Sequence, residues 1–311
     1  MPRSPSRRVR ACLLVTALLG VGACGGGEHE AAAPSGPTLP RGLLLAMSQF
    51  AVSPEGKVLP SPGPALLEML AQRDGVWQLS RLEDPDSNVF HKAMVYTPPG
   101  QAPGILTLGG SAAMLKLWRP AGAGNFLGEL VWEKDFGGKF SRMRDAEVAD
   151  LLGDGKPTLA VATHDQGVVA LVVPLDGGGY EARKLDGEKD TFVHEIEIGD
   201  LDGDGILEFY ATTSEPNRLD GTVQRGKVKR YVPARGGEPE IAADLGDRHA
   251  KEIYVGDVDG DGTDELYVSV EGLVKGKGAA AELVYPVEIR RYEAGTDPAA
   301  GAVIATIPDR L

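Results

Sequence analysis

Cysteine is nearly missing from this chain of 311 residues: Cys12 and Cys24 are the only two, and both fall within the first 24 positions. The rest of the chain can therefore hold neither a disulfide framework nor a cysteine-ligated zinc. Positive charge is in deficit, with 32 Lys+Arg against 45 Asp+Glu and a formal net charge of −13. Nucleic acid and anionic lipid are polyanions that such a balance repels, so neither is expected as the partner. Aromatic residues make up only 6%, which lends no special support to a sugar site built from stacked rings. The apolar run at residues 11–21 is too short to cross a bilayer as a helix. Glycine (42) and proline (22), by contrast, exceed a fifth of the chain together, so turns are frequent and long helices are not expected. The length and 42% hydrophobic content suffice for a buried core in one large domain or two ordinary ones.

Arg3, Arg7, Arg8 and Arg10 form a basic head ahead of that apolar run, the layout of an export signal. The run ends in Val21-Gly22-Ala23-Cys24, which resembles the bacterial lipobox. The resemblance implies that residues 1–23 are removed and that Cys24 carries lipid. Residues 24–41 show no apolar periodicity and read as a flexible tether, leaving 42–311 as the folded domain. Gly25 stands where lipoproteins retained in an inner membrane often carry aspartate. The expected location is thus the cell envelope, outside the cytoplasm, on the outer membrane if the source has two. Lipid alone would reach the membrane.

Internal repetition governs the fold. Segments 144–164, 194–214 and 251–271 share one pattern, and aligning them on Asp150, Asp200 and Asp257 puts related residues in register. A degenerate fourth copy, 91–110, fits when Thr97 takes the place of the lead aspartate. Each copy opens on an alternating stretch such as Glu195-Ile196-Glu197-Ile198, the period-2 mark of a strand. A Gly/Asp loop follows, then an apolar run at 105–108, 159–163, 207–212 or 265–270. Further runs at 168–174 and 180–185, 228–232 and 240–245, and 286–292 and 303–307 complete the three later units. Four short strands per unit of about fifty residues describe the blade of a β-propeller, an all-β fold. Ahead of them, residues 43–52, 65–71 and 76–82 read as three more strands, with 65–71 also compatible with a helical turn. This total falls one short of five full blades. Either a five-bladed ring closes imperfectly, or the sequence belongs to a six- or seven-bladed ring; the latter is the favoured expectation.

The loops carry the most specific chemistry. Asp200, Asp202, Asp204 and Glu208 occupy positions 1, 3, 5 and 9 of one loop, and Asp257, Asp259, Asp261 and Glu265 the same positions of another. Calcium is a hard cation that takes six to eight oxygens, and alternate acidic residues in a tight turn aim theirs at one point. Ile206 and Thr263, at position 7, could add backbone carbonyls. Position 12 holds Ala211 or Val268 rather than glutamate, which excludes an EF-hand. The alternative, two solvated acidic turns without metal, leaves clustered carboxylates repelling one another. In the Asp150 copy Leu152 and Thr158 replace two ligands, and little or no metal is expected there.

These loops resemble the Asp-x-Asp-x-Asp-Gly-x-x-Asp motif of FG-GAP/VCBS repeats, found in the integrin α-chain-like propeller superfamily. The resemblance covers residues 91–311, with glutamate replacing aspartate at position 9. It implies bound Ca2+ in the hairpins between first and second strands, and ligand binding on the opposite face, where first strands begin. There the sequence places His91-Lys92, Arg144-Asp145, His194-Glu195 and Lys251-Glu252, joined by His164 and Asp165 and by Glu215, Asn217 and Arg218 from second-to-third-strand loops. Ion-paired structural groups are the competing reading. No catalytic motif is present: His194-Glu195 lacks the second histidine of HExxH, and Gly109 to Ala113 is no nucleophile elbow. The expected function is to present a face to carbohydrate or an envelope protein. A calcium-dependent polysaccharide lyase or hydrolase, or a structural subunit of an envelope complex, are the alternatives.

Overall fold

The computed structural model describes residues 39–308 apart from 111–112, 123, 138–141, 165, 217–221 and 277–281. Cys24, the export signal and most of the tether therefore lie outside the described residues, as do Asp165, Asn217 and Arg218. Within them the protein is all-β, without a helix. Strand β1 (Gly42–Met47) is followed by a separate hairpin of β2 (Phe50–Val52) and β3 (Val58–Pro62), and then by β4 (Ala65–Arg73) and β5 (Val76–Asp84). The order β1-β4-β5 makes a three-stranded antiparallel sheet.

Four antiparallel sheets of four strands come next. The first contains β6 (Phe90–Tyr96), β7 (Gly104–Gly109), β8 (Met114–Gly122) and β9 (Asn125–Glu133). The second contains β10 (Met143–Ala149), β11 (Thr158–Thr163), β12 (Val168–Pro174) and β13 (Tyr180–Gly187). The third contains β14 (Phe192–Gly199), β15 (Glu208–Ser214), β16 (Gly226–Tyr231) and β17 (Glu240–Asp244). The last begins with β18 (Ala250–Gly256) and β19 (Glu265–Val270); a hairpin of β20 (Leu273–Lys275) and β21 (Glu282–Tyr285) then intervenes before β22 (Val287–Tyr292) and β23 (Ala302–Ile307).

Successive sheets pack through their first strands, β1 on β6, β6 on β10, β10 on β14 and β14 on β18. A core lies between each neighbouring pair of sheets. In β11, Leu159 and Val161 face the preceding sheet, while Ala160 and Ala162 face the following one. In β12, Val168, Ala170 and Val172 face one core, and Val169, Leu171 and Val173 the other. Period-2 side-chain alternation therefore yields an unbroken apolar run wherever both faces are covered. The fourth strand β13 buries no residue fully and carries charge.

Two features depart from the expected strand runs. The segment 43–52 breaks after Met47, and Phe50–Val52 leaves to pair with Val58–Pro62 across a turn at Gly56. The β20–β21 hairpin is an insertion between the second and third strands of its sheet. Segment 65–71, read as strand or helical turn, is a strand whose Leu67, Met69 and Ala71 are buried.

Candidate functional site

Chemistry gathers at both ends of the first strands. At one end, the pairs Ala149↔Thr158, Gly199↔Glu208 and Gly256↔Glu265 close the hairpin loops 150–157, 200–207 and 257–264. All three loops share one construction. The lead aspartate accepts N–H groups from the turn: Asp204 (3.0 Å) and Gly205 (2.8 Å) on Asp200, Asp261 (3.0 Å) and Gly262 (2.9 Å) on Asp257, Asp154 (3.0 Å) and Gly155 (2.9 Å) on Asp150. Positions 4 and 6 have φ between 67° and 94°, a region glycine enters without strain, at Gly203, Gly205, Gly260 and Gly262. Loop shape thus follows from glycine and the lead aspartate, and the carboxylates at positions 3 and 5 are added to it.

The structure brings Asp200, Asp202 and Asp204 together, with ligand oxygens within 4.8 Å of one another, and does the same for Asp257, Asp259 and Asp261. Ile206 and Thr263 donate their N–H to Asp204 (2.8 Å) and Asp261 (2.9 Å). The glutamates at position 9 are placed elsewhere. Glu208 is fully buried and accepts from the Leu201 N–H (3.0 Å), the Tyr210 hydroxyl and the Arg230 guanidinium. Glu265, also buried, accepts from the Tyr267 hydroxyl (3.0 Å). Each glutamate anchors its loop rather than joining the aspartate trio. Arginines lie against the trios unequally: Arg230 on Asp202 and Arg235 on Asp204 in one loop, Arg291 alone on Asp259 (3.1 Å) in the other.

At the far end, six residues and roughly 20 Å away along a strand, every first strand after β1 shifts register at the same place. The shifts fall between Phe90 and Lys92, Met143 and Asp145, Val193 and Ile196, and Ala250 and Ile253. The residues left without a ladder partner are His91, Arg144, His194 with Glu195, and Lys251 with Glu252. They are the first members of the charged pairs that the sequence aligns in one column, joined in β14 and β18 by the second members; Lys92 and Asp145 keep ladder partners. A β-bulge re-aims its side chains and is a frequent neighbour of binding sites. Thr212 Oγ1 holds one bulge by accepting both the His194 N–H (2.9 Å) and the Glu195 N–H (3.0 Å).

Asp145 and His194 are buried, His91, Lys92, Arg144, Glu195 and Lys251 are half-buried, and Glu252 is exposed. Asp145 is buried, pairs with Lys92 (2.9 Å) and accepts the Ile196 N–H (2.8 Å), tying β10 to β14. Burial pulls the Lys92 pKa down, but Asp145 and Glu147 outweigh it and raise the pKa overall. Burial, and then a hydrogen bond with Glu252, push Glu195 up to about 9. Burial likewise raises Glu197 to about 7. Arg144 contacts His91 Nδ1 at 3.1 Å, and Lys251 lies 3.9 Å from Glu271. A cavity of about 350 Å³ opens beside this end, lined by Glu188, Lys189, Asp190, Thr191, Glu215 and Thr222.

One member was absent from the aligned column. His249, 2% exposed, has its ring centre 5.0 Å from that of His194, and His164 stands 5.2 Å away on His194 as well. His249 precedes Lys251 by two residues, outside the repeat alignment; the crowding of histidines toward strand starts is the signal that points to it. No protein-family model and no curated protein matches the chain.

Proposed function

We propose that the chain is a calcium-stabilised β-propeller lipoprotein with FG-GAP/VCBS-type repeats, anchored through Cys24, that presents the bulged ends of its first strands to a polar ligand, carbohydrate or protein. The observation that carries the reading is the bulge repeated at one level in four consecutive sheets, always at a charged or histidine residue. A bulge breaks the ladder and re-aims its side chains, and is a frequent neighbour of binding sites, so its return at one level in four sheets supports a shared face there. The propeller is supported by four-stranded meanders that pack in chain order through their first strands. Ca2+ is supported by the donor set: three carboxylates in each of two loops whose shape is already set by backbone hydrogen bonds. Asp200, Asp202 and Asp204, and Asp257, Asp259 and Asp261, would hold the ions. Their chemistry there is charge neutralisation of the hairpins.

The test is a screen of polysaccharides and envelope proteins with and without calcium, followed by Arg144→Ala and Lys251→Ala. Both side chains are only half-buried, so the variants should lose affinity at least tenfold while Tm stays within a few degrees. Unchanged affinity in both variants would make these residues structural ion pairs.

A further inference from the structure

All four histidines among the described residues, His91, His164, His194 and His249, stand at the bulged end of the sheets. The His194 ring lies between those of His164 and His249, with planes at 87° and 74° to them. His194 is 8% and His249 2% exposed; neither ring nitrogen of His194 has a partner in the protein, and the His249 ring meets only the Glu215 backbone carbonyl. A buried polar atom left in that condition costs about 1–3 kcal/mol. Both nitrogens of His194 and the remaining one of His249, on two adjoining rings, are not explained by packing, which apolar side chains would supply without the penalty.

The spacing has a chemical counterpart. Two imidazoles on one tetrahedral ion, with metal–nitrogen bonds of about 2.0–2.1 Å, have ring centres roughly 5 Å apart, and those of His194 and His249 are 5.0 Å apart. Burial, reinforced by His249 and Lys251, holds His194 neutral with its pKa pulled down to about 2. Burial and Lys251 pull His249 down to about 4, with the Glu215 backbone carbonyl opposing. Neutral imidazole is the metal-binding form, and a ligating histidine commonly donates its other N–H to a backbone carbonyl. The neighbouring cations already have partners, Arg144 at His91 and Lys251 toward Glu271. The only trios of ligand atoms within 4.8 Å among the described residues are the aspartates, so a third imidazole would reach the ion only by a turn of its ring.

We propose that His194 and His249 bind a borderline transition-metal cation of the Zn2+ or Cu2+ class, with solvent completing its coordination and His164 placed to supply a third nitrogen. The chain would then sort two kinds of metal by donor chemistry, hard calcium on the aspartate oxygens and a borderline ion on imidazole. The site lies on the proposed ligand face, but its test needs no organic ligand.

Full-length protein without a polyhistidine tag, held in excess Ca2+ to fill the aspartate loops, is titrated with Zn2+ by calorimetry and with Co2+ by visible absorption. One further ion should bind, with the absorption of imidazole-ligated Co2+. His194→Gln and His249→Gln should each weaken it at least tenfold, while His29→Ala in the tether changes nothing. Circular dichroism checks the fold of each variant; if His194→Gln does not fold, His249→Gln and His164→Gln decide. No uptake, or uptake lost with Asp202→Asn or Asp259→Asn but kept in the histidine variants, would overturn the proposal. Zinc binding without any glycan or protein ligand would defeat only the broader functional reading.

Discussion

Withdrawing calcium should separate the two aspartate trios from each other and from the third loop. A ligand that binds only the folded state adds RT ln(1 + [L]/Kd), so about 10 mM Ca2+ acting on a Kd on the order of 10⁻⁴ to 10⁻³ M stabilises by roughly 1.4–2.7 kcal/mol per loop. Two loops together supply roughly 3–5 kcal/mol, which at about 2–4 °C per kcal/mol raises Tm by on the order of 10 °C. The loops should not contribute equally. To enter the Asp200 loop, an ion must displace Arg230 from Asp202 and Arg235 from Asp204, whereas only Arg291 contests the Asp257 loop. A charge-assisted hydrogen bond is worth about 1.5–3 kcal/mol, so the Asp257 loop should bind tighter by about tenfold or more. Arg235→Ala should narrow the gap by removing a competitor. Calorimetric titration and melting curves in chelator and in calcium read both quantities. Asp259→Ala should abolish the tighter event and Asp202→Ala the weaker one, while Asp154→Ala leaves stoichiometry at two. The reasoning is refuted if the intact protein takes up no calcium, or if Asp202→Ala removes the tighter site.

Three further outcomes are expected. Cys24→Ala should move the protein from the membrane fraction to the soluble one, as read by fractionation and blotting. Tm should plateau between about pH 4.5 and 6.5 and fall on either side. His194 and His249 titrate below their ordinary 6.5, so their contribution is lost as pH drops through that value toward 4; Glu195 and Glu197 titrate above 4.5, so theirs is lost as pH rises toward 7 and 9. Between the two limits the opposing slopes offset each other, and Glu195→Gln should flatten the alkaline decline. Leu171→Ala, at a position 2% exposed between two sheets, should cost about 2–5 kcal/mol, against less than about 0.5 kcal/mol for Val303→Ala on exposed β23, both read by denaturant unfolding.

The strands were legible because alternation and turn chemistry are local. Runs 168–174 and 265–270 match β12 and β19 residue for residue. The aspartate trios were legible for the same reason, since eight-residue loops hold their own ligands. Spacing alone could not show what else Glu208 and Glu265 bind: Glu208 accepts from buried Tyr210 and from Arg230 on a strand 22 residues on, and Glu265 accepts from half-buried Tyr267. His249 escaped notice because its neighbours, His194 and His164, come from preceding sheets. The β2–β3 and β20–β21 hairpins escaped because each consists of runs of three to five residues without a covered face.

The interior strands give each of their two faces to a different neighbour, and that arrangement has a kinetic consequence. A sheet such as β10–β13 can open only by breaking two apolar interfaces at once, whereas β1-β4-β5 leaves Leu43, Leu45, Trp77 and Leu79 exposed on one side. Where repeats contact only their neighbours, opening free energy is set by those interfaces, so it should be lowest where a sheet leaves a face exposed. Amide hydrogens of β11, β12 and β15 should then be the last to exchange with solvent. Those of β1 and β23 should exchange first, and proteolysis under native conditions should begin in the same places.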